Sequence, residues 1–531
     1  MQTAVDTAPA LPPAASPSPD AAVALASTMA PPAAAAFVQA ISAARAHRLD
    51  LVGLMTAAEA ARVAGSPKAS ALLYQTWLQA LPAGSPHLAL AHVALFNLGV
   101  SLGALNDHAG AEAAYRRALA LRDDFVEAHI NLGTQIEAQG RRPEAIAVWQ
   151  QVFDRGLTED PSRRALRLHL LNNLGRALEI DKAFARAERM LALSLAIDPE
   201  QPDVLQHYVH LRQKQCEWPW YQPPPGVAYG SMARATSMLA MLAAFDDPAF
   251  QLHRAATFLR DKVDLPAGRI GYPAARTPSV IAPADAPDHR AGVVGRAAAA
   301  STPAPAPSAG AAPAAPRKLR IGYLSSDFCQ HAVSMLTIEL FELHDRERFE
   351  IFAFSWSRDD ASPMRQRLLA AFTEYVPIHA LSDEQAAEQI RARGIDVLVD
   401  LQGLTSGARP AILACRPAPV QITYLGLPGT TGMPFVDYVI ADPFVLPEWM
   451  TPFFTEKPLY MPNCFQSSDR RRVACEPPTR EEAGLPARGT VFCCFNNNYK
   501  FSDSLFACWM RILGQVPDSV LWLLADNEWA R

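Results

Sequence analysis

Cysteine is scarce in this chain. There are eight in 531 residues, none before Cys216 and none in C-x-x-C spacing, which excludes a disulfide scaffold and suits a reduced, cytosolic protein. An excess of positive charge is also missing. Forty-eight Lys and Arg against 53 Asp and Glu leave a net charge of −5, so no overall electrostatic footprint for nucleic acid is present. Glycine is sparse, at 27 residues. No charged side chain lies between Asp20 and Arg45, yet the stretch is alanine-rich, is interrupted by Pro31 and Pro32, and follows no basic segment. Neither a signal peptide nor a spanning helix is supported, and residues 1–33 are expected to form a disordered cytoplasmic tail. Proline, by contrast, is abundant, 45 residues where about 5% is usual, and predicts linkers. At about 150 residues per domain the length predicts three or four domains.

What is there begins with a repeat. Asn97-Leu98-Gly99 recurs 34 residues later as Asn131-Leu132-Gly133, and again as Asn173-Leu174-Gly175 after 34 residues plus an eight-residue insertion. Twelve residues after each glycine stands an alanine, Ala111, Ala145 and Ala187, and four beyond it a bulky side chain, Tyr115, Trp149 and Leu191. Small residues let two helices approach closely, and the bulky ones are expected to fill the gap to the next pair. This register resembles the tetratricopeptide repeat. Asp50 to Pro82 reads as a degenerate first copy, and residues 200–215 as the start of a capping helix. Such pairs must stack into an α-solenoid with a binding surface, assigned here to residues 34–215, and they predict a protein or peptide partner. Asn97, Asn131 and Asn173 either grip a peptide backbone, because an amide offers both donor and acceptor, or serve as repeat consensus.

Residues 216–266 keep a helical pattern and read as a transition segment packed on both neighbours. From 267 to 317 the composition collapses to Ala, Pro, Gly and Ser, which cannot build a core and predicts a linker.

After Lys318 short apolar runs alternate with helical segments. Strands are expected at 319–324, 349–354, 395–400, 420–424 and 438–441, about six in all, with helices at 333–343, 364–372 and 383–393. Ser382 and Gln385 form a capping box at the start of the last helix. Strand–helix alternation means a doubly wound parallel sheet, residues 318–487. Ligands bind beyond the carboxyl ends of such strands, which singles out the loops Ser325–His331, Asp400–Thr405 and Leu425–Gly432. In the last, glycine at every third place either frees backbone N–H groups for a phosphate or sugar or makes a tight turn. His331, where a helix begins, is placed to donate to a sugar hydroxyl, to move a proton, or to serve a structural role. A second strand–helix–strand unit runs from Thr490 to Ala525, and two strands with one helix do not complete a sheet. The chain therefore reads as a C-terminally incomplete version of a longer protein.

The motifs Leu319-Arg320-Ile321-Gly322-Tyr323-Leu324-Ser325-Ser326-Asp327-Phe328 with His331, Arg416-Pro417-Ala418-Pro419-Val420-Gln421, Leu425-Gly426-x-Pro428-Gly429-Thr430-x-Gly432, Phe495-Asn496 with Tyr499-Lys500, and Pro517-x-Ser519-Val520-Leu521-Trp522 together resemble the O-GlcNAc transferase and SPINDLY family. The resemblance implies a GT-B glycosyltransferase of two Rossmann-like lobes, the second starting at 488–531, which moves a sugar from a nucleotide donor to Ser or Thr of proteins with inversion. It implies no metal and no cofactor, with the nucleotide sugar as substrate, and the chain has no D-x-D.

By the same resemblance His331 matches the histidine against the donor sugar, and Lys500 the lysine that stabilises the leaving diphosphate. Gly426, Pro428, Gly429 and Thr430 would line the sugar and acceptor side of the cleft. Asn497 stands where animal members carry glutamine beside the donor base. The column Asn97, Asn131 and Asn173 matches the family's ladder for acceptor peptides. UDP-GlcNAc is the first expectation for the donor. GDP-fucose, asparagine acceptors and a catalytically inactive repeat scaffold are the alternatives. The family's further C-terminal motifs do not occur, so the chain as written is expected to bind donor weakly and turn over little.

Overall fold

The computed structural model describes residues 19–82, 84–263, 317–525 and 527–528. The chain forms two compact units. One holds the residues up to Ala235 with Val491–Gln515 and Leu521 onward, and the other holds Thr236–Thr490 with Val516–Val520. Residues 267–316 of the expected linker lie outside the described residues, as do residues 1–18 of the expected tail.

The first unit is a run of helices: α1 (Pro19–Ala26), α2 (Pro31–Arg45), α3 (Leu51–Val63), α4 (Pro67–Ala80), α5 (Ala91–Gly103), α6 (His108–Leu121), α7 (Val126–Ala138), α8 (Arg142–Asp154), α9 (Arg164–Ile180), α10 (Phe184–Ile197), α11 (Pro202–Lys214) and α12 (Tyr229–Ala235). From α2 to α12 each helix packs on its sequence neighbour. Short polar residues start several of them. Asp50 accepts from the Gly53 N–H at 2.8 Å and Asp107 from the Gly110 N–H at 2.9 Å, satisfying first-turn donors.

The repeat glycines explain how closely each pair packs. A Cβ on Gly99 would lie 2.6 Å from the Tyr115 ring, and one on Gly133 or Gly175 would overlap Trp149 or Leu191. Ala111, Ala145 and Ala187 are fully buried at the same crossings. The bulky side chains therefore fill the space inside their own helix pair, opposite a missing side chain, and Tyr115 also reaches the next pair, where Asn131 Nδ2 points to its hydroxyl. The most apolar stretch, Pro86–Gly103, is long and apolar enough by composition to cross a membrane. Here Ala91, Ala94, Leu95 and Leu98 of α5 are buried in the core of the stack.

The expected tail is corrected in part. Residues 19–33 contain α1 and the first turn of α2, and Ala22 is buried in the first core. Alanine is the best helix former, and Pro31 and Pro32 open α2 at its first turn, where a missing N–H costs nothing.

In the second unit α13 (Met238–Ala244) and α14 (Pro248–Lys262) precede β1 (Leu319–Ser325), α15 (Ala332–Glu342), β2 (Phe349–Ser355), α16 (Pro363–Ala371), β3 (Glu374–Pro377), α17 (Asp383–Ala392), β4 (Val397–Asp400), α18 (Pro410–Ala414), β5 (Val420–Thr423), β6 (Tyr438–Ala441) and β7 (Lys457–Tyr460). The strands form one sheet in the order β3-β2-β1-β4-β5-β6-β7, all parallel. Both faces are covered, as parallel sheets require. Tyr323, Ile351, Ala353 and Val399 join Ile338, Phe341 and Leu368 on one side. Leu324, Phe352, Phe354 and Leu398 join Ile390, Ile412 and Met433 on the other.

Seven strands replace the expected six or so. The unexpected ones, β3 and β7, are four residues each, carry a proline, and sit at the two edges of the sheet, where proline is tolerated. The Ser382–Gln385 capping box forms as expected. Beyond the sheet, β8 (Val491–Cys494) pairs with β9 (Val520–Leu523), with α19 (Asp503–Gln515) between them in sequence.

Candidate functional site

In a doubly wound sheet the strand order reverses where two loops diverge, here between β1 and β4. Asp400, the last residue of β4, is 3% exposed. Its carboxylate accepts from the Gln402 N–H at 3.1 Å and the Gly403 N–H at 2.7 Å. Burial pushes its carboxyl up to about 7, against the pull of those two donors, because desolvation disfavours the charged form.

The turn that Asp400 holds locks its neighbours. Gly403 has φ +58°, a conformation that suits glycine, and a Cβ there would lie 2.9 Å from that of Leu427. A Cβ on Gly426 would lie 2.5 Å from the Gln402 backbone, so the loops after β4 and β5 interlock. Toward β1 the Gln402 Nε2 donates to Ser326 Oγ at 2.6 Å, and Ser326 Oγ donates to Asp327 Oδ1 at 3.0 Å. Asp327 Oδ2 lies 3.4 Å from His331 Nδ1. Gln402 is 1% exposed, and its Oε1 has no hydrogen-bond partner among the described residues.

His331 is the N-cap of α15 in extended conformation, with Nδ1 3.3 Å from the Val333 N–H. Its side chain is 46% exposed. The proton on Nδ1 suits Asp327, and the proton on Nε2 suits Val333, so the ring's tautomer decides which contact it makes.

The loop after β5 follows the tight-turn alternative. The Gly426 and Gly429 N–H groups donate to the Tyr424 and Leu427 carbonyls at 2.9 Å each, and the Gly432 N–H to Thr430 Oγ1 at 3.2 Å. These donors are spent inside the loop. Gly432 has φ +65° and passes against α14, where a Cβ would meet the Ala256 nitrogen at 2.8 Å. Thr430 is 4% exposed, and its hydroxyl donates to Glu456 Oε2 at 2.8 Å. The Thr431 N–H donates to Glu456 Oε1 at 2.8 Å, and the Thr431 hydroxyl to the same oxygen. Thr430 thus anchors the loop through a buried carboxylate, a use the sequence did not suggest. Pro428 is exposed and Gly429 half-buried.

Lys500 and Asn497 belong to the helical unit. Lys500 closes the short turn Asn498–Lys500, with Nζ 3.3 Å from Asn496 Oδ1 and 5.9 Å from the Tyr499 ring centre. Lys214 of α11 donates to Asn497 Oδ1 at 2.8 Å, Cys216 Sγ lies 3.8 Å from the Asn498 carbonyl, and Trp218 Nε1 donates to the Phe501 carbonyl at 2.9 Å. The oxygen of Asn497 is thus engaged by a lysine, a partner that its placement beside a donor base did not anticipate.

The asparagine column occupies equivalent places on α5, α7 and α9, yet its members differ. Asn97 Nδ2 turns back to the Val93 carbonyl at 2.9 Å, and Asn131 Nδ2 points to Tyr115 Oη at 3.4 Å. The Asn173 Nδ2 is buried without a hydrogen-bond partner among the described residues.

Asp327, Asp400 and Gln402 lie in loops that the sequence singles out, but no individual role was assigned to them from sequence. The signal for Asp400 was an acidic residue ending a parallel strand, the place such folds use. Among the described residues no group of three His, Cys, Asp or Glu side chains is arranged to hold a metal ion.

The model of Glycosyl transferase family 41 matches residues 306–477 and 475–528. A probable UDP-N-acetylglucosamine–peptide N-acetylglucosaminyltransferase SEC of Arabidopsis thaliana is 38% identical over 214 residues, 39% of this chain and 22% of that protein. The UDP-N-acetylglucosamine–peptide N-acetylglucosaminyltransferase of Caenorhabditis elegans is 39% identical over 158 residues, 30% of this chain and 14% of that one. A solved O-GlcNAc transferase of Thermobaculum terrenum is 23% identical with a TM-score of 0.48, covering 83% of this chain and 69% of that one. The matched segment spans less than a quarter of these curated relatives' own length. Over residues 306–528 the chain resembles the O-GlcNAc transferase and SPINDLY proteins of glycosyl transferase family 41.

Proposed function

We propose that this protein is a cytoplasmic protein O-glycosyltransferase that transfers GlcNAc from UDP-GlcNAc to Ser or Thr of polypeptides held by its repeats. The observation that carries the reading is the coincidence of the family match over residues 306–528 with the loops of β1, β4 and β5, which interlock where a doubly wound sheet binds ligands.

In this reading the acceptor hydroxyl loses its proton to a base or to the departing diphosphate, and its oxygen bonds the anomeric carbon as the carbon–oxygen bond to the diphosphate breaks. His331 contacts the sugar or the acceptor hydroxyl. Lys500 offsets charge developing on the leaving diphosphate, an effect concentrated in the transition state. Pro428 and Gly429 present the accessible part of the β5 loop, and Thr430 holds it in place. Asn97, Asn131 and Asn173 would meet the peptide backbone along the column, Asn173 only once its buried amide nitrogen turns outward.

The test is intact-mass analysis of candidate acceptor proteins incubated with the protein isolated from its natural host and UDP-GlcNAc. One N-acetylhexosamine added on Ser or Thr supports the reading. A sugar added only from GDP-fucose, or no transfer from either donor, contradicts it.

A further inference from the structure

The turn that carries Lys500 has its acceptors taken. An ammonium group has three donors and no acceptor, so the atom of Asn497 that meets Lys214 Nζ at 2.8 Å is the amide oxygen. Lys500 Nζ lies 3.3 Å from the amide oxygen of the neighbouring Asn496. Backbone acceptors are used in the same way. The Asn497 carbonyl accepts from the Lys500 N–H at 3.0 Å, the Asn498 carbonyl from the Phe501 N–H at 2.9 Å, and the Phe501 carbonyl from the Trp218 indole at 2.9 Å. What remains is donors. The half-buried Asn497 keeps its Nδ2 group, which makes no hydrogen bond among the described residues, and the side chain of Lys500 is exposed. The Lys214 and Lys500 ammonium groups also lie 5.8 and 5.9 Å from the centre of one ring, that of Tyr499.

We infer that Lys214, at the end of α11, sets the polarity of Asn497: by holding the amide oxygen it leaves the Nδ2 hydrogens as the group that this side chain offers a ligand. With Lys500 beside it, the turn then meets its ligand with donors. Such a surface selects an anion rich in acceptor oxygens, a diphosphate, whose charge strengthens each bond. Without Lys214 the amide is free to rotate and present its oxygen, which repels a phosphoryl oxygen. Lys214 is thus a positioning residue that acts through Asn497. Its part in donor binding rests on the proposed function.

Binding of UDP and of inorganic pyrophosphate is measured by calorimetry on the protein from its natural host and on variants made in it. Lys214→Met is expected to weaken both by about tenfold or more, as for one lost bond to a charged group, while Lys214→Arg, which keeps a donor, should retain most of the affinity. In Asn497→Ala, adding Lys214→Met should have little further effect, because the two side chains act as one pair. Trp218→Phe removes another bond to the same turn and keeps a ring beside Phe506. It should leave both affinities nearly unchanged. Circular dichroism confirms that each variant is folded, and Lys214→Ala replaces Lys214→Met if the latter is not. Equal losses from Lys214→Met with and without the Asn497 side chain, an equal loss in Trp218→Phe, or no loss at all overturns the inference, since the lysine would then act by its charge alone, by bracing the turn, or not at all. The predicted ratios in a protein that transfers no sugar would leave the role of Lys214 standing and refute the proposed function. Sugar transfer with binding indifferent to Lys214 would do the opposite, and binding of neither probe would overturn both.

Discussion

The ammonium group of Lys214 donates to the carboxamide oxygen of Asn497 at 2.8 Å, joining the last helix of the repeat stack to the turn that carries Lys500. Lys214 also lies 5.8 Å from the centre of the Tyr499 ring. Lys214→Met should loosen that turn while leaving the repeat core intact. Amide exchange at Asn498 to Phe501 is expected to quicken by about ten- to a hundredfold, as for the loss of one hydrogen bond to a charged group. Unchanged exchange there would show that Trp218 and Cys216 hold the turn without the lysine.

The repeat glycines make a stability prediction with an internal control. Gly133→Ala drives a methyl group into the Trp149 ring and should cost about 1–3 kcal/mol by overpacking. Gly514→Ala, in α19 with nothing within 4 Å, should be neutral or stabilise by up to about 1 kcal/mol. Denaturant titration of both variants checks the contrast, and equal effects would contradict the packing described for Gly133.

Thr430→Val removes a donor from the buried Glu456 carboxylate and should destabilise by about 1–3 kcal/mol, while Thr430→Ser, which keeps the hydroxyl, should cost well under half of that. If Thr430→Val instead weakens nucleotide-sugar binding at unchanged stability, Thr430 is a ligand contact and its anchoring role is wrong.

Asp400 sets a pH dependence. Its carboxyl rises from an ordinary 3.8 to about 7, so between those values the folded state holds a proton that the unfolded state has released. Stability from this group therefore falls as pH rises through that window, by up to about 4 kcal/mol for three units. Asp400→Asn does not titrate. Its stability relative to wild type should be nearly level below pH 4 and should grow up to pH 7. A difference that stays constant across urea titrations at pH 4, 5.5 and 7 would refute it.

Much of the architecture is legible in the residues. The spacing of Gly99, Ala111 and Tyr115 encodes a helix crossing because all three contribute to one local contact. Long apolar strands such as β1 and β2 announce themselves, while β3 and β7, short and bearing Pro377 and Pro458, do not. The site is less legible, because its meaning lies in contacts between distant segments. The glycines at 426, 429 and 432 look alike in sequence, yet Gly426 makes room for the β4 loop and Gly432 for α14. Thr430 reads as a loop hydroxyl until Glu456, 26 residues on, is seen to accept from it. Likewise Asn97, Asn131 and Asn173 share a register, but only the last leaves its amide donor unspent.

The central claim is that Lys500 and the asparagine column serve different halves of one transfer reaction. The most direct measurement is GlcNAc transfer from UDP-GlcNAc to a bound acceptor, with acceptor affinity measured alongside, for the protein from its natural host and for Lys500→Ala and Asn131→Ala/Asn173→Ala made in it. The account predicts that Lys500→Ala cuts turnover by about a hundredfold or more, in the range of losing one transition-state charge contact, with acceptor affinity nearly unchanged, and that the double asparagine variant does the reverse. Equal losses in both quantities, or no transfer by the wild-type protein, would contradict it and leave the repeats as a binding scaffold.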